Sequence, residues 1–379
     1  MSVTAPIQAT TVPPGRRKRI IRLVQALVSI VLVVAVFAYA IPKFADYSKV
    51  WAGISGLTLT QLLILVSITA FNIFTYWPQM TASMPGLTIA QAGVNNQTST
   101  TIANTVPGGG LVANGVTWAM YLSWGFTNAQ IGLSVMITAI WNSFVKLGLP
   151  IIAVVILAIT GSRRITLLVP ALIGLVILIG VVLLFALTLW KKSLARRIGR
   201  GLGAAASWVR KLIRKPPMGD WGEAAVRFRK RTIQLVSKRW PMLTLATVVS
   251  HLGLFLVLLI SLRFVGVSEQ DVGWAEVLGV FAFARLLTAV PITPGGLGVV
   301  ELAYIGGLVL AGRNHTTASP EEFRAQVAAG VLLFRALTYG AQIPLGGITY
   351  LIWRQKKSWR KDPKEAPQEP AVPVPAAVM

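Results

Sequence analysis

The sequence predicts an all-α integral membrane protein, a polytopic bundle of helices. Hydrophobic residues make up 54% of the chain and charged residues only 13%. Several apolar stretches approach the roughly 20 residues that a spanning helix needs. Two other stretches are interrupted by Pro-Gly-Gly, which a simple spanning helix avoids. These three observations indicate several full spans and two broken segments.

Composition also bears on the kind of chemistry to expect. The chain has no cysteine, so disulfides, thiolate metal sites and a thiol nucleophile are excluded. Its two histidines, His251 and His315, stand alone in the sequence, where packed or hydrogen-bonded side chains are the commoner outcome. We therefore expect no metal and no cofactor. Because no cluster of nucleophile, base and orienting group is visible, we do not expect an enzyme.

The N-terminal region predicts an uncleaved first span. Residues 1–19 form a basic N-terminus, and an apolar run continues to about Ile41. Since basic segments stay in the cytoplasm, the chain should begin there. A short outer loop then leads to a second span from about Leu57 to Met80, where Tyr76 and Trp77 are interfacial anchors.

The first broken segment follows. Residues 85–104 are rich in Asn, Gln, Ser and Thr, and Pro107-Gly108-Gly109 separates them from the more apolar 111–126. Polar, interrupted backbone at membrane depth needs protein or a wet cavity around it. The pattern favours a re-entrant hairpin over two spans. Spans at about 129–160 and then up to Trp190 complete a first membrane repeat, residues 20–190.

The central segment 191–240 concentrates basic residues within a chain whose net charge is +24. It is predicted to be a cytoplasmic loop. The apolar residues around Trp208 and Leu212 indicate an amphipathic helix on anionic headgroups, and a solvated loop that only sets topology is an equal alternative. Nucleic-acid binding is not expected, because orientation accounts for the charge and no recognition module accompanies it.

The second membrane repeat covers residues 241–353. A span at 241–262 precedes a second broken segment at 274–312, and a last span covers about 323–353. Basic residues and then Pro and Ala dominate the tail, 354–379, which predicts a disordered cytoplasmic end.

The second break predicts an anion site. Thr293 can cap a new helix that has Pro294 as its first residue. Gly295, Gly296 and Gly298 would leave first-turn N–H groups open to close approach, at the positive end of the helix dipole. Packing glycines are the alternative, since small residues let membrane helices approach each other.

The two broken segments align without gaps. Pro107-Gly108-Gly109 falls on Pro294-Gly295-Gly296, which sets Asn114 opposite Glu301. Counting spans from a cytoplasmic N-terminus, one hairpin enters from each side. This predicts two inverted repeats, each with a re-entrant Pro-Gly-Gly hairpin, and a site near the midplane. Only Arg163 and Arg164 fall on the unexpected side.

A family resemblance rests on the second half. The segment Pro294 to Glu301, followed by Arg335, Tyr339 and Pro344, resembles the C-terminal signature of the lysylphosphatidylglycerol synthase transmembrane-region family. The resemblance covers residues 20–355 and implies a flippase-like, stand-alone member without the soluble aminoacyl-transferase domain, so synthase activity is not implied. The first half departs from the family after its proline, where this chain has Gly108 to Asn114.

Together these features predict a plasma-membrane transporter with both termini in the cytoplasm. It would move an anionic or phosphate-linked lipid, such as aminoacyl-phosphatidylglycerol or a polyprenyl-phosphate carrier, between leaflets. The alternatives are an ion-coupled small-solute transporter and a scaffold for envelope biogenesis. Expected partners are membrane lipids, further copies of the chain or envelope enzymes. Candidate site residues are Pro107, Gly108, Gly109, Asn114, Arg285, Thr293, Pro294, Gly295, Gly296, Gly298, Glu301, Arg335 and Tyr339.

The partner of Glu301 among the charged candidates is not settled by the sequence. Charged groups inside a membrane are costly and by default indicate function. Glu301 needs a cation, which Arg285 or Arg335 can supply. A purely structural buried pair of Glu301 with Arg335 is the alternative. The role of Lys146 stays open.

Overall fold

The protein is a multi-pass helical membrane protein. A computed structural model describes residues 47–106, 109–160, 168–212, 221–288 and 293–360, together with positions 27 and 31. Within these ranges all regular secondary structure is helical, which confirms the predicted all-α class. Among the described residues, four helices are long and apolar enough to cross a membrane, or five if the bent pair Val176–Trp190 and Lys192–Trp208 is counted as one span. The predicted first span, the 163–164 turn, Pro107, Gly108 and the tail beyond 360 lie outside the described residues.

Twelve helices follow one another along the described chain. The first six are α1 Tyr47–Ser55, α2 Leu59–Ser83, α3 Ile89–Thr105, α4 Gly109–Ser123, α5 Asn128–Ile159 and α6 Leu168–Trp190. The others are α7 Lys192–Leu212, α8 Trp221–Phe264, α9 Trp274–Leu287, α10 Val299–Gly312, α11 Pro320–Arg335 and α12 Gln342–Gln355. A π-helical turn, Ala336–Gly340, joins α11 to α12. The last span is therefore continuous, but the helical register shifts at this turn.

Three helices begin with the same local signal. A threonine hydroxyl accepts the N–H three residues later, and the glutamine at that later position accepts the threonine N–H in return. This capping box satisfies two otherwise unpaired groups at the helix start. The pairs are Thr58 with Gln61, Thr88 with Gln91 and Thr127 with Gln130. The T-x-x-Q pattern therefore fixes where α2, α3 and α5 begin.

Helices α2 and α8 pack along each other through polar contacts. Asn72 donates to the Ser250 carbonyl at 2.7 Å, and the Gln79 amide donates to the Thr247 hydroxyl at 2.6 Å. A Cβ at Gly253 would lie 3.1 Å from the Asn72 side chain, so the backbones approach closely there. Small residues and interhelical hydrogen bonds are how membrane helices associate. These contacts hold α2 and α8 together along much of their length.

Two pairs of short helices match the two predicted broken segments. Helices α3 and α4 have 17 and 15 residues, and α9 and α10 have 14 each, so none reaches the roughly 20 residues of a full span. Helix α3 packs on α12, and α9 packs on α5, the helix that follows the other pair. Such reciprocal packing is what an inverted repeat requires. The repeat and the re-entrant depth of the hairpins remain predictions.

The basic centre of the chain is helical on both sides of a gap. Helix α7 leaves α6 at 110°, and α8 begins at Trp221 rather than at the expected 241. Cβ atoms on Gly199 and Gly203 would collide with Trp221, so α7 packs tightly on the start of α8. Arg196 also pairs with Glu223 at 2.6 Å. The segment predicted as a cytoplasmic loop therefore contains α7 and the first part of α8, which pack against each other.

The largest apolar core lies in the second half. Phe255, Phe281, Tyr304 and Phe334, from α8, α9, α10 and α11, form a chain of ring contacts with centroids 5.6–6.4 Å apart. Aromatic pairs at these distances add stability beyond their buried area. This column holds the second short-helix pair against the long helices and so fixes the position of the second Pro-Gly-Gly break.

Candidate functional site

The second Pro-Gly-Gly break is a tight turn and not the first turn of a helix. Residues Pro294–Gly296 form one 3₁₀ turn, and α10 starts at Val299. The φ angles of Gly295, Gly296 and Gly298 are +58°, +74° and +86°. A right-handed helix cannot contain such residues, so the prediction that Thr293 caps a helix beginning at Pro294 is wrong. The Thr293 hydroxyl instead donates to the Leu297 carbonyl at 2.8 Å.

Glu301 closes this turn from inside the protein. One carboxylate oxygen accepts the Gly298 N–H at 2.7 Å, and the other accepts the Nε–H of Arg335 at 2.6 Å. The carboxylate is fully buried, and Arg335 also donates to the Gly295 carbonyl at 3.1 Å. The partner of Glu301 is therefore Arg335. The helix start that was expected to be open to an anion is capped by the carboxylate of the same helix.

We call the Glu301–Arg335 pair, with the two glycines that it holds, the clamp. Tyr339 joins this clamp to the end of α3. Its hydroxyl donates to the Asn104 carbonyl at 2.6 Å, and the Arg335 guanidinium lies 4.6 Å from the centre of its ring. A Cβ added at Gly295 would run into the same ring. Asn104 lies just before the first Pro-Gly-Gly break, so Tyr339 ties the two breaks together. Only a glycine fits the space that remains between them.

The first break contributes less than the sequence suggests. Pro107 and Gly108 lie outside the described residues. Gly109 starts α4 and is buried, and a Cβ there would clash with the carbonyls of Ile102 and Ala103. Asn114 is exposed on α4 and makes no hydrogen bond within the described residues, so the position opposite Glu301 in the repeat does not join the clamp.

Arg285 does not join the clamp. It belongs with Lys146 to a second group, which we call the cation cluster. Arg285 does not pair with Glu301, and its charge acts on Lys146 of α5, His251 of α8 and Tyr76 of α2. The Arg285 Nε is buried without a hydrogen-bond partner in the described chain. No described carboxylate pairs with Arg285 or with Lys146. Arg285 and Lys146 are therefore close enough to repel each other, and an anion would relieve this repulsion.

A line of polar side chains, the polar track, leads along α5 to this cation cluster. Ser134, Thr138, Asn142 and Lys146 recur every four residues and so share one face of the helix. The Ser134 and Thr138 hydroxyls lie 2.7 Å and 3.2 Å from the hydroxyl of Ser83, at the end of α2. The track starts, in other words, where α2 ends and α5 begins.

The polar track continues through the α2–α8 contact. Asn142 donates to the Gln79 side chain at 3.4 Å, and Gln79 in turn donates to Thr247. The Nδ1 of His251 lies 2.9 Å from the Thr247 carbonyl, while its Nε2 is buried without a described partner. His251 is 1% exposed. An unused imidazole nitrogen thus lies beside two unneutralised cations.

Sequence reasoning named Arg285 as a candidate site residue but did not group it with Lys146 and His251. It set His251 aside and left the role of Lys146 open. The signal was present in the spacing of Ser134, Thr138, Asn142 and Lys146, because polar residues four apart on a long apolar helix define a polar stripe. No spacing rule shows that Arg285, far along the chain, completes the cluster.

Comparison with known families supplies the identity. The family described as lysylphosphatidylglycerol synthase TM region matches residues 23–346. The chain belongs to this family. The match confirms the resemblance drawn from the second Pro-Gly-Gly segment, and its limits include both short-helix pairs, the clamp and the cation cluster. No curated protein matches the chain. Membership places this lysylphosphatidylglycerol synthase TM-region protein among membrane proteins.

Proposed function

We propose that this protein moves an anionic or phosphate-linked lipid between the two leaflets of the plasma membrane. The observation that carries the proposal is the pair of cations Arg285 and Lys146, which interact with each other and have no described carboxylate partner. Charged side chains inside a membrane are costly unless they are paired or face a wet path. A phosphate or other anionic headgroup supplies the missing partner.

The clamp has a different part in this proposal. Glu301 and Arg335 neutralise each other, and their remaining hydrogen-bonding groups hold Gly298 and Gly295. They therefore have little to offer a ligand. We assign to them the positioning of the second break, and with it the end of α9 that carries Arg285. The glycines of that break serve close packing and left-handed backbone.

The polar track supports a lipid path. A headgroup that crosses the membrane must exchange its hydration for polar protein groups, while its acyl chains stay in the hydrocarbon. Hydroxyl and amide side chains from α2, α5 and α8 form a hydrogen-bonded line between the end of α2 and the helices that carry Lys146 and His251. They would replace water along that part of the path without themselves competing as anions for the two cations.

The test is lipid movement in proteoliposomes that contain fluorescent phosphatidylglycerol, followed by quenching from outside. We expect Arg285→Gln and Lys146→Gln each to lower the initial rate by about tenfold, the loss of one charge-assisted contact. The melting temperature should stay the same or rise, because either change removes repulsion. Arg313→Gln, an exposed arginine in the loop after α10, is the matched control.

Two results would contradict the proposal. Wild-type rates in the Arg285→Gln, Lys146→Gln double variant would remove the cation cluster as a headgroup site. Absence of lipid movement by the wild-type protein, together with uptake of a soluble anion, would favour the ion-coupled solute transporter instead. Rates that fall in proportion to the melting temperature would reduce both residues to structural roles.

A further inference from the structure

A second basic site lies at the other end of the polar track. A pocket of about 580 Å³ opens between the end of α2, the start of α5 and the first half of α8. Three of its lining residues are cations, Arg231, Lys238 and Arg239, and none is acidic. Arg239 is held in place by a hydrogen bond to the Thr81 carbonyl at 3.3 Å. The pocket therefore concentrates positive charge in a concave space.

The pocket walls are amphipathic. Leu133 of α5 and Leu235 of α8 line it together with the cations, and both leucines are largely buried. A small soluble anion would use the charged side alone. A phospholipid would use both, because its phosphate meets the cations while its glycerol and first acyl carbons cover the leucines.

The sequence of α8 places the pocket at headgroup depth. The basic stretch of the first half ends at Arg239, Trp240 is exposed, and an apolar stretch follows Pro241 until Arg263 in the last turn. A tryptophan between a basic and an apolar stretch marks the membrane–water interface, and basic residues mark its cytoplasmic side. In the predicted orientation, the pocket thus lies at the level of the cytoplasmic leaflet.

We propose that this pocket binds the phosphate of an anionic phospholipid from the cytoplasmic leaflet and presents it to the polar track. Ser83 belongs to both, since it lines the pocket and shares hydrogen bonds with Ser134 and Thr138. Binding stands on the pocket itself. The role as an entrance rests on the proposed lipid transport.

The experiment measures binding without transport. Native mass spectrometry of the purified full chain in detergent counts bound dioleoyl-phosphatidylglycerol against dioleoyl-phosphatidylcholine, with inorganic phosphate added as a competitor in a third arm. We expect a preference for phosphatidylglycerol that phosphate does not abolish. The double variant Arg231→Gln, Lys238→Gln should weaken phosphatidylglycerol binding by about tenfold or more. Lys238→Gln alone, at an exposed position, should also weaken phosphatidylglycerol binding, but by less than the double variant.

The matched control removes two positive charges from other positions of the same helix. Arg227→Gln with Lys230→Gln changes two exposed residues of α8 that do not line the pocket. Equal loss in both double variants would overturn the site in favour of diffuse charge attraction. Displacement by inorganic phosphate, or no preference over phosphatidylcholine, would overturn the lipid assignment.

Transport measured on the same variants separates the two proposals. Reduced binding with slower lipid movement supports the entrance. Lost binding with wild-type lipid movement would overturn the entrance and leave the proposed function standing. Specific binding by a wild-type protein that moves no lipid would support the pocket while the proposed function fails.

Discussion

Arg335 donates its Nε–H to Glu301 across 2.6 Å, and the other oxygen of the same carboxylate holds the Gly298 N–H. One buried carboxylate thus connects the last span to the first turn of α10. Because the contact replaces the water that both groups would have outside the membrane, neither can lose its partner without a large cost. The stability of the second break depends on this pair.

Glu301→Gln should lower the melting temperature clearly, since breaking a buried pair costs about 3–5 kcal/mol. The uncharged side chain leaves Arg335 without a counter-ion in a site where Glu301 was fully buried. The double change Glu301→Leu, Arg335→Leu should recover much of the loss, although the Gly298 N–H and the Gly295 carbonyl keep no partner. Thermal unfolding of the purified variants checks both.

The exposed pair Lys49 and Glu321 is the control for that experiment. Its N–O distance is 3.1 Å, but the side chains are 50% and 81% exposed. Exposed pairs contribute at most about 1 kcal/mol. Glu321→Gln should therefore leave the melting temperature nearly unchanged. A shift as small for Glu301→Gln would contradict the account of a buried clamp.

Gly295→Ala should destabilise the protein. The left-handed backbone at φ +58° alone costs an alanine roughly 1–2 kcal/mol, and its Cβ would also collide with the Tyr339 ring. Gly306 is the control, since it lies within α10 and a Cβ there meets nothing within 4 Å. Gly306→Ala should stabilise by about 0.5–1 kcal/mol. Equal melting temperatures for the two variants would refute the packing role of Gly295.

The predicted orientation can be tested with single cysteines, because the chain has none of its own. Asn314→Cys, in the loop between α10 and α11, should react with an impermeant thiol reagent in intact cells. Ala205→Cys, exposed on α7, should react only after permeabilisation. Labelling of position 205 from outside would contradict the inverted arrangement of the two hairpins.

Acid should loosen the junction between α8 and α9 through Asp271. Burial acts to raise the pKa of this carboxyl, but hydrogen bonds from the Ser268 hydroxyl and N–H, at 2.7 Å and 2.8 Å, outweigh it and lower the pKa. The unfolded value is about 3.9. The stabilisation is thus complete above that pH and is lost as the pH falls through the lower, folded pKa.

Asp271→Asn provides the measurement. The variant should melt below the wild-type protein at pH 7, and the difference should shrink as the pH approaches 3. A difference that stays constant over this range would show that the hydrogen bonds, and not the charge, account for the effect of the substitution.

Much of the fold was predictable from local signals. Threonine–glutamine capping boxes and long apolar runs locate α2, α3 and α5, and the two Pro-Gly-Gly breaks locate the short-helix pairs. The start of α8 was not predicted. Charge sets which side of the membrane a segment occupies but does not decide whether it is helical, so the basic residues after Trp221 resembled a loop.

The site was predictable only in part. Arg335 was one of the two cations expected to pair with Glu301, because a buried carboxylate needs a cation, and the structure selects it over Arg285. The anion site expected at Thr293 and Pro294 failed because three left-handed glycines delay the helix to Val299. One of them, Gly295, packs against Tyr339, a residue far along the chain. Long-range contacts of this kind leave no periodic trace in a single sequence.

Helix α8 is longer than a single membrane span. Its 44 residues extend about 66 Å, roughly twice the hydrocarbon thickness, so one helix carries the pocket residues Arg231 to Arg239 in its first half and contacts the loop after α8 at its far end. Pro241, near its middle, removes one backbone hydrogen bond and provides a pivot. A bend of about 10° there would displace one end of the helix by about 6 Å relative to its other half.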